Sequence, residues 1–426
     1  MMPVKNFSLH IHNARASVAT GAEHTPQAAC PCFSFQRQLP IRRTLDAYVP
    51  ILHVIALYSI IVQIQEITRI VLGKSSAVCY PVFSNLKQKV NQHMTKKLLI
   101  LTTGGTIASV KTPHGLIPAL TSEELLSYLP EIGSDFLLKT KAVCNLDSTD
   151  ITPEHWLLLA GSIREEYHNY DGFVICHGTD TMAYTAAALS YLIQHSSKPI
   201  VLTGAQKPIG SEITDAKANL RDSILYAADP HSRGVQIVFD GKVILGTRAK
   251  KTKTLSFAAF SSINYPYLAT IQDGRIIRYL PPSIEKNPVV FYDRLNPKVF
   301  LLKLTPGISP ALLGEIFRLY DCIIIESFGV GGIPDTLESE LFSQLSKYAP
   351  QEKVLVMTTQ VTYEGSNVGT YEVGRRLNET FSILEAKDMT LEAVLTKMMW
   401  IMAEDGISWP EICRKFYKCI NSDTLY

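Results

Sequence analysis

From about residue 96 onward, short apolar runs recur along the chain and stop at glycine. Residues 98–103 (LLILTT) end at Gly104-Gly105, residues 172–176 (GFVIC) at His177-Gly178, and residues 199–203 (PIVLT) at Gly204. Further runs occupy 235–239, 299–304, 322–326 and 354–358. Unbroken apolar runs of this length, without polar alternation, fit strands covered on both faces, as in a parallel sheet. Stretches of helical character lie between them. Residues 181–194 (TMAYTAAALSYLIQ) are rich in Ala and Leu, with Thr179 or Asp180 placed to cap them, and 216–228 and 391–403 read the same way. Strands alternating with helices predict an α/β fold built on a mostly parallel sheet.

The rhythm breaks at residues 272–297, which hold Pro281-Pro282, Pro288, Pro297 and several charges. The pattern therefore predicts a larger N-terminal α/β domain over 96–271, a linker over 272–297 and a smaller C-terminal α/β domain over 298–426. No repeat of 20–50 residues stands out. Residues 1–93 differ from the rest, with few acidic residues and no turn-and-strand rhythm. Their apolar run Val49–Val62 has 14 residues, short of the roughly 20 that a transmembrane helix needs. It also lies far from Met1 for a signal peptide. A membrane anchor, a buried helix and a membrane-surface helix all stay open. Met94 is followed by Thr95-Lys96-Lys97 and then the first strand. Residues 1–93 are accordingly expected to be an appendage, or upstream sequence read through.

Composition narrows the class. Charged residues make up 19% of the 426 residues and apolar ones 46%, which excludes a long, highly charged disordered chain. Lys+Arg 41 against Asp+Glu 39 gives +2, so no strong field argues for nucleic acid or an anionic membrane. The eight cysteines are scattered, which fits a reducing compartment rather than a disulfide framework. Cys30-Pro-Cys32 and His10-Ile-His12 have poor spacing for a zinc site. No metal is expected, and the expected location is cytoplasmic.

In open parallel sheets ligands bind outside the carboxyl ends of the strands, so the residues after each strand carry the candidate chemistry. After the first stands Thr103-Gly104-Gly105-Thr106-Ile107-Ala108. Two adjacent glycines allow close backbone approach, their N–H groups and that of Thr106 are candidates for facing an oxyanion, and Thr106 is a candidate nucleophile. A tight turn with a structural threonine explains the segment equally. After the strand at 172–176 stands His177-Gly178-Thr179-Asp180-Thr181-Met182. A helix start suits a substrate carboxylate and Asp180 suits an ammonium; alternatively Thr179 and Asp180 only cap the helix. His177 reads as a packed histidine. Phosphate-loop, dinucleotide, G-x-S-x-G and H-E-x-x-H signatures are absent.

TGGTIA followed some seventy residues later by HGTDTM resembles the bacterial-type L-asparaginase family. The resemblance continues through Leu202-Thr203-Gly204-Ala205-Gln206-Lys207-Pro208 and Asp215-Ala216-Lys217-Ala218-Asn219-Leu220, and covers residues 96–426. DGFVICHGTDTMAYTAAALSYL, INYPY and YEVGRR are most similar to the cytosolic type I group. The resemblance implies hydrolysis of L-asparagine to L-aspartate and ammonia, without metal or organic cofactor, in a homodimer or homotetramer. Thr106 matches the nucleophilic threonine, and Thr179, Asp180 and Lys251 the second catalytic constellation, with Lys250 and Lys253 as neighbours of the lysine. Asp147, Ser148 and Thr149 match the segment that holds the substrate α-carboxylate, Asp180 the ammonium-binding aspartate, and Ala205 a position beside the substrate amide. Two positions depart from the pattern: Leu116 stands where many members carry a lid tyrosine, beside the lid histidine His114, and Gly332 where some carry an asparagine. Glutaminase activity, an ammonia-generating subunit of a tRNA-dependent amidotransferase, and a non-catalytic amino-acid sensor are the competing functions.

Overall fold

The computed structural model describes residues 95–113, 115–132, 135–281 and 286–426, all within the unit Gln88–Tyr426. Residues 1–93, with the apolar run at 49–62 and the pairs Cys30/Cys32 and His10/His12, lie outside the described residues, as do His114 and the side chain of Leu116.

The N-terminal half runs β1 (Lys97–Gly104), a 3₁₀ turn (Thr106–Ala108), the hairpin β2 (Ser109–Thr112) and β3 (Gly115–Pro118), α1 (Ser122–Ser127), β4 (Leu137–Leu146), and a second 3₁₀ turn (Ser148–Asp150). It continues through α2 (Pro153–Glu166), β5 (Gly172–Cys176), α3 (Met182–Leu192), β6 (Ile193–Gln194), β7 (Pro199–Thr203), α4 (Ala216–Ala228), β8 (Gly234–Phe239) and β9 (Lys242–Leu245). It closes with β10 (Ala249–Lys251), β11 (Phe260–Ser262), β12 (Ala269–Gln272) and β13 (Arg275–Arg278). The second half comprises β14 (Val290–Phe291), β15 (Val299–Lys303), α5 (Ala311–Leu319), β16 (Cys322–Ser327), α6 (Asp335–Leu345) and β17 (Val354–Thr359). Then come α7 (Glu372–Thr380), β18 (Leu384–Glu385), α8 (Leu391–Ile401) and α9 (Trp409–Tyr417).

The main sheet has the order β13-β12-β9-β8-β7-β5-β1-β4. Its five strands from β4 to β8 are parallel, and β9, β12 and β13 extend it antiparallel. The unbroken apolar runs are explained by cover on both faces. Leu98 and Ile100 of β1, with Val174 and Val201, pack toward α1 and α4, while Leu99 and Leu101, with Phe173, Ile175, Ile200 and Leu202, pack toward α2 and α3. The smaller sheet, β15-β16-β17-β18, is parallel throughout. One face carries Ile323, Ile325, Leu355 and Met357 against α5, α6 and α7. The other carries Cys322, Ile324, Val354 and Val356 and joins the core that contains α3 and α8. Helix α3 is apolar on every side, and 10 of its 11 residues are buried, as expected of a helix held between two layers.

Several elements differ from the sequence expectation. Residues 275–278, placed in the linker, form β13, paired with β12 in the register Ala269↔Arg278. The cause is the Asp273-Gly274 turn, with φ of 49° and 69°, a dipeptide that suits tight hairpins. Strand β4 (LLKTKAVCNL) escaped notice because, at the sheet edge, its lysines interrupt the apolar signal. The helix expected to run to residue 194 stops at Leu192, because Ile193 and Gln194 pair with Phe291 and Val290. Neither Thr179 nor Asp180 caps α3: its N-cap is Thr181, which makes no side-chain capping bond.

Candidate active site

Three glycines let the strand-end loops of β1, β5 and β7 interlock. A Cβ on Gly105 would stand 2.4 Å from the Gly178 Cα, one on Gly178 2.6 Å from the Ser148 Cβ, and one on Gly204 2.2 Å from the His177 carbonyl oxygen. Real Cβ atoms do not approach so closely, so larger residues at these positions would force the loops apart. Gly105 also has φ of 75°, where an L side chain is strained. Its N–H donates to Leu146 O at 3.0 Å. That N–H is thus engaged in joining β1 to the end of β4, which removes it from the oxyanion donors suggested by the sequence.

The turn after β4 docks on the turn after β5. The Asp180 N–H donates to Ser148 Oγ at 3.2 Å, and Thr181 Oγ1 donates to Ser148 O at 2.7 Å. Asp147 closes its own turn by accepting from the Thr149 N–H and hydroxyl at 2.9 and 3.0 Å. The charged centre lies beside this junction. Lys251 Nζ donates to Thr179 Oγ1 at 2.8 Å and to Asp180 Oδ1 at 2.7 Å. Thr179 is buried, and its hydroxyl donates to Gln206 Oε1 at 3.3 Å. The Asp180 side chain is 58% exposed and that of Lys251 16%, so the aspartate stays open to an incoming cation. Thr106 begins the 3₁₀ turn directly after Gly105, and its hydroxyl bonds to no other described residue.

Among three neighbouring candidates, geometry selects the lysine. Lys251 reaches Thr179, whereas Lys250 lines a small pocket with Asn264 and Thr358. Arg248 anchors the segment: it is wholly buried, and donates to Ser422 O at 2.6 Å and to the Asp388 carbonyl and carboxylate at 2.9 Å each. The loop bearing Ala205 is anchored as well. The Asp215 carboxylate accepts from the backbone N–H groups of Gln206 and Lys207 at 2.9 and 3.1 Å, while Asn219 Nδ2 donates to Gly204 O at 3.0 Å and to Asp215 at 3.1 Å. Gln206, which sequence reasoning did not single out, is itself held by donation to Thr254 O and Ser256 O at 2.9 and 3.2 Å. The pairing of LTGAQKP with an Asp and an Asn four residues apart on one helix face was the available signal.

His177 is fully buried and accounted for. Its Nδ1 donates to Gly178 O at 2.7 Å, and its Nε2 meets Thr185 Oγ1 at 2.9 Å. Thr185 also accepts from Trp156 Nε1 at 3.0 Å. A carbonyl can only accept, so the proton sits on Nδ1 and the Thr185 hydroxyl donates to Nε2. Burial pushes the imidazole pKa down to about 4, against the smaller opposing effect of the Gly178 carbonyl. The ring is a neutral brace behind the loop.

Known proteins resemble the chain over most of its length. The family model "Asparaginase, N-terminal" matches residues 97–283 and "Glutaminase/Asparaginase C-terminal domain" matches residues 298–416. The chain belongs to the asparaginase family. As such it is an enzyme, an amidohydrolase. L-asparaginase from Thermococcus kodakarensis is 42% identical over 307 residues, covering 72% of this chain and 92% of the relative. L-asparaginase 1 from Escherichia coli K12 is 32% identical over 73% of this chain and 93% of its own. A glutamyl-tRNA(Gln) amidotransferase subunit from Methanosphaera stadtmanae is 35% identical over 74% of each. Among solved structures, the thermostable L-asparaginase from T. kodakarensis superimposes with a TM-score of 0.71 at 39% identity, covering 77% of this chain and 98% of that one. L-asparaginase I from Vibrio cholerae gives 0.68 at 27%, with 78% and 100% covered. No helix among the described residues is long and apolar enough to cross a membrane.

Proposed function

We propose that this asparaginase-family enzyme hydrolyses L-asparagine to L-aspartate and ammonia, with Thr106 as nucleophile. The observation that carries the reading is the Lys251–Thr179–Asp180 constellation, bonded at 2.7 and 2.8 Å beside the Gly105–Gly178 junction from which Thr106 projects. Relatives named as L-asparaginases support the choice of substrate.

Asp180 takes the substrate ammonium, and Ser148 and Thr149, with the Asp147 turn, take the α-carboxylate. Two charged handles orient the carboxamide toward Thr106. The Thr106 hydroxyl attacks the amide carbon and loses its proton to a base, the carbon–nitrogen bond breaks, and the nitrogen leaves as ammonia after gaining a proton. Backbone N–H groups near Thr106 and Ala205 stabilise the oxyanion. Water then attacks the acyl-enzyme ester, with Thr179 and Lys251 relaying its proton, and aspartate is released. No metal or organic cofactor enters this scheme. The base that takes the Thr106 proton is Lys251 through water, or a residue from the C-terminal domain or a neighbouring subunit, in a homodimer or homotetramer acting in the cytoplasm.

The test is ammonia release from asparagine and from glutamine by the intact chain, by a chain starting at Met94, and by Thr106→Ala. The expected result is ammonia from asparagine in the first two, and a loss of roughly 10⁴-fold or more in the third. Retained hydrolysis in Thr106→Ala would remove the nucleophile assignment. A second reading, an ammonia-generating amidotransferase subunit, draws on the 35% identity to the M. stadtmanae protein. It is favoured if glutamine hydrolysis requires a copurifying partner and tRNA.

A further inference from the structure

A cavity of about 380 Å³ opens at the end of the main sheet opposite the strand-end loops just described. Its walls come from the start of β8 and the residues around it (Arg233, Gln236), the segment preceding β7, Arg278 of β13, and the stretch after α9 that begins at Lys418. The volume falls within the roughly 300–1,000 Å³ usual for small-ligand sites.

The lining is basic. Arg233, Arg278, Lys418, His195 and His231 face this space, and among the described residues no Asp or Glu lines it. Arg278 is offset by Asp229 at 2.5 Å. Arg233 has no such partner among the described residues, and its Nε is buried without a hydrogen bond. Gln236 is 3% exposed, and its Oε1 likewise lacks a donor; its amide nitrogen is already spent on the Arg233 carbonyl. A buried carbonyl oxygen and a buried guanidinium N–H left unsatisfied are costly. A positive recess with low-dielectric walls also concentrates anions.

We infer that this cavity is a second ligand site, for a small oxyanion, phosphate or carboxylate, that also carries a hydroxyl or N–H group. The oxyanion pairs with Arg233 and Lys418, and the hydroxyl or N–H donates to Gln236 Oε1. Nothing in the hydrolysis of an amide uses these residues. The occupant also braces the C-terminal stretch, since Asn421 O and Ser422 O accept from Thr247 and Arg248 at 2.7 and 2.6 Å, and so it raises the melting temperature.

Calorimetry and melting curves on the full chain test this. The probes are glycerol 3-phosphate against inorganic phosphate, and glycerate against acetate. The expected result is saturable binding of the hydroxyl-bearing member of at least one pair, with the preferred pair identifying phosphate or carboxylate. Arg233→Gln and Lys418→Gln should each weaken it about tenfold or more; Lys418 is exposed, so its variant serves if Arg233→Gln does not fold. No binding up to about 10 mM, no preference for the hydroxyl-bearing probe, or binding unchanged in the folded variants would overturn the assignment.

Discussion

Two lysine–aspartate pairs in this enzyme have the same length and opposite surroundings. Lys251–Asp180 and Lys397–Asp423 both measure 2.7 Å. The first lies at the mouth of the candidate active site, with its aspartate 58% exposed; the second is at 0% for both partners. Further hydrogen bonds hold both members of the buried pair. Lys397 also donates to Lys418 O at 2.9 Å, and Asp423 accepts from the Tyr191 hydroxyl and the Ile420 N–H at 2.9 Å each. Burial lowers the Lys397 ammonium pKa, with Asp423 opposing, and raises that of Tyr191 so that it stays a donor. Distance alone therefore says little about what an ion pair does. Where water is excluded, removing one partner strands a charge and the pair acts as a lock on the C-terminal stretch. Where water is at hand the pair contributes little to stability, and in the proposed mechanism its aspartate exchanges the lysine for the substrate ammonium.

Neutralising each lysine in turn separates the two roles. Lys251→Met is expected to lower amide hydrolysis by about 10²–10⁴-fold, while changing stability by no more than about 1 kcal/mol. Steady-state kinetics beside a urea melt checks both, and a large loss of stability would mean that the open pair is structural after all. Lys397→Met should do the reverse, costing about 3–5 kcal/mol of stability while the folded fraction keeps its kcat. A smaller effect concerns His177, the neutral brace behind the same loop. Its folded pKa of about 4 lies below the value of 6.5 it has when exposed. Between those values the unfolded chain binds a proton that the folded chain does not. Its contribution is thus fully present above about pH 6.5 and is lost as pH falls toward 4, a difference of about 3 kcal/mol. Stability measured against pH should show this acid limb, and His177→Gln should flatten it. Smallest is Asp180→Asn, which removes one charge-assisted contact to the ammonium. It should raise KM about 10- to 100-fold, and an unchanged KM would take the ammonium away from Asp180.

Much of the fold was legible because burial on both faces leaves a local trace. The runs at 98–103, 172–176 and 199–203 appear as β1, β5 and β7 within a residue or so of their expected ends. Edge strand β4 and hairpin strand β13 were not legible from apolar runs, since half of each faces solvent. At the site, TGGT and HGTD carried the chemistry and the close-approach glycines together. Gln206, Asp215 and Asn219 carry no chemistry by themselves, and their role arises only when the loop after β7 folds over Thr179.

By itself the sequence determined the alternation of strands and helices, the family, and the loops that bear candidate nucleophile and charge. These follow from residue type and short-range order, which a linear pattern carries in full. Tertiary structure alone decided that Lys251 and not Lys250 meets Thr179, across 72 positions of chain. It also decided that Gly105 spends its N–H on Leu146, that His177 is sealed as a neutral donor, and that one Lys–Asp pair is wet and the other dry. The physical reason is common to all four. Which polar atom finds a partner, and how much water it keeps, depends on segments that are distant in sequence and meet only when the sheets and helices pack.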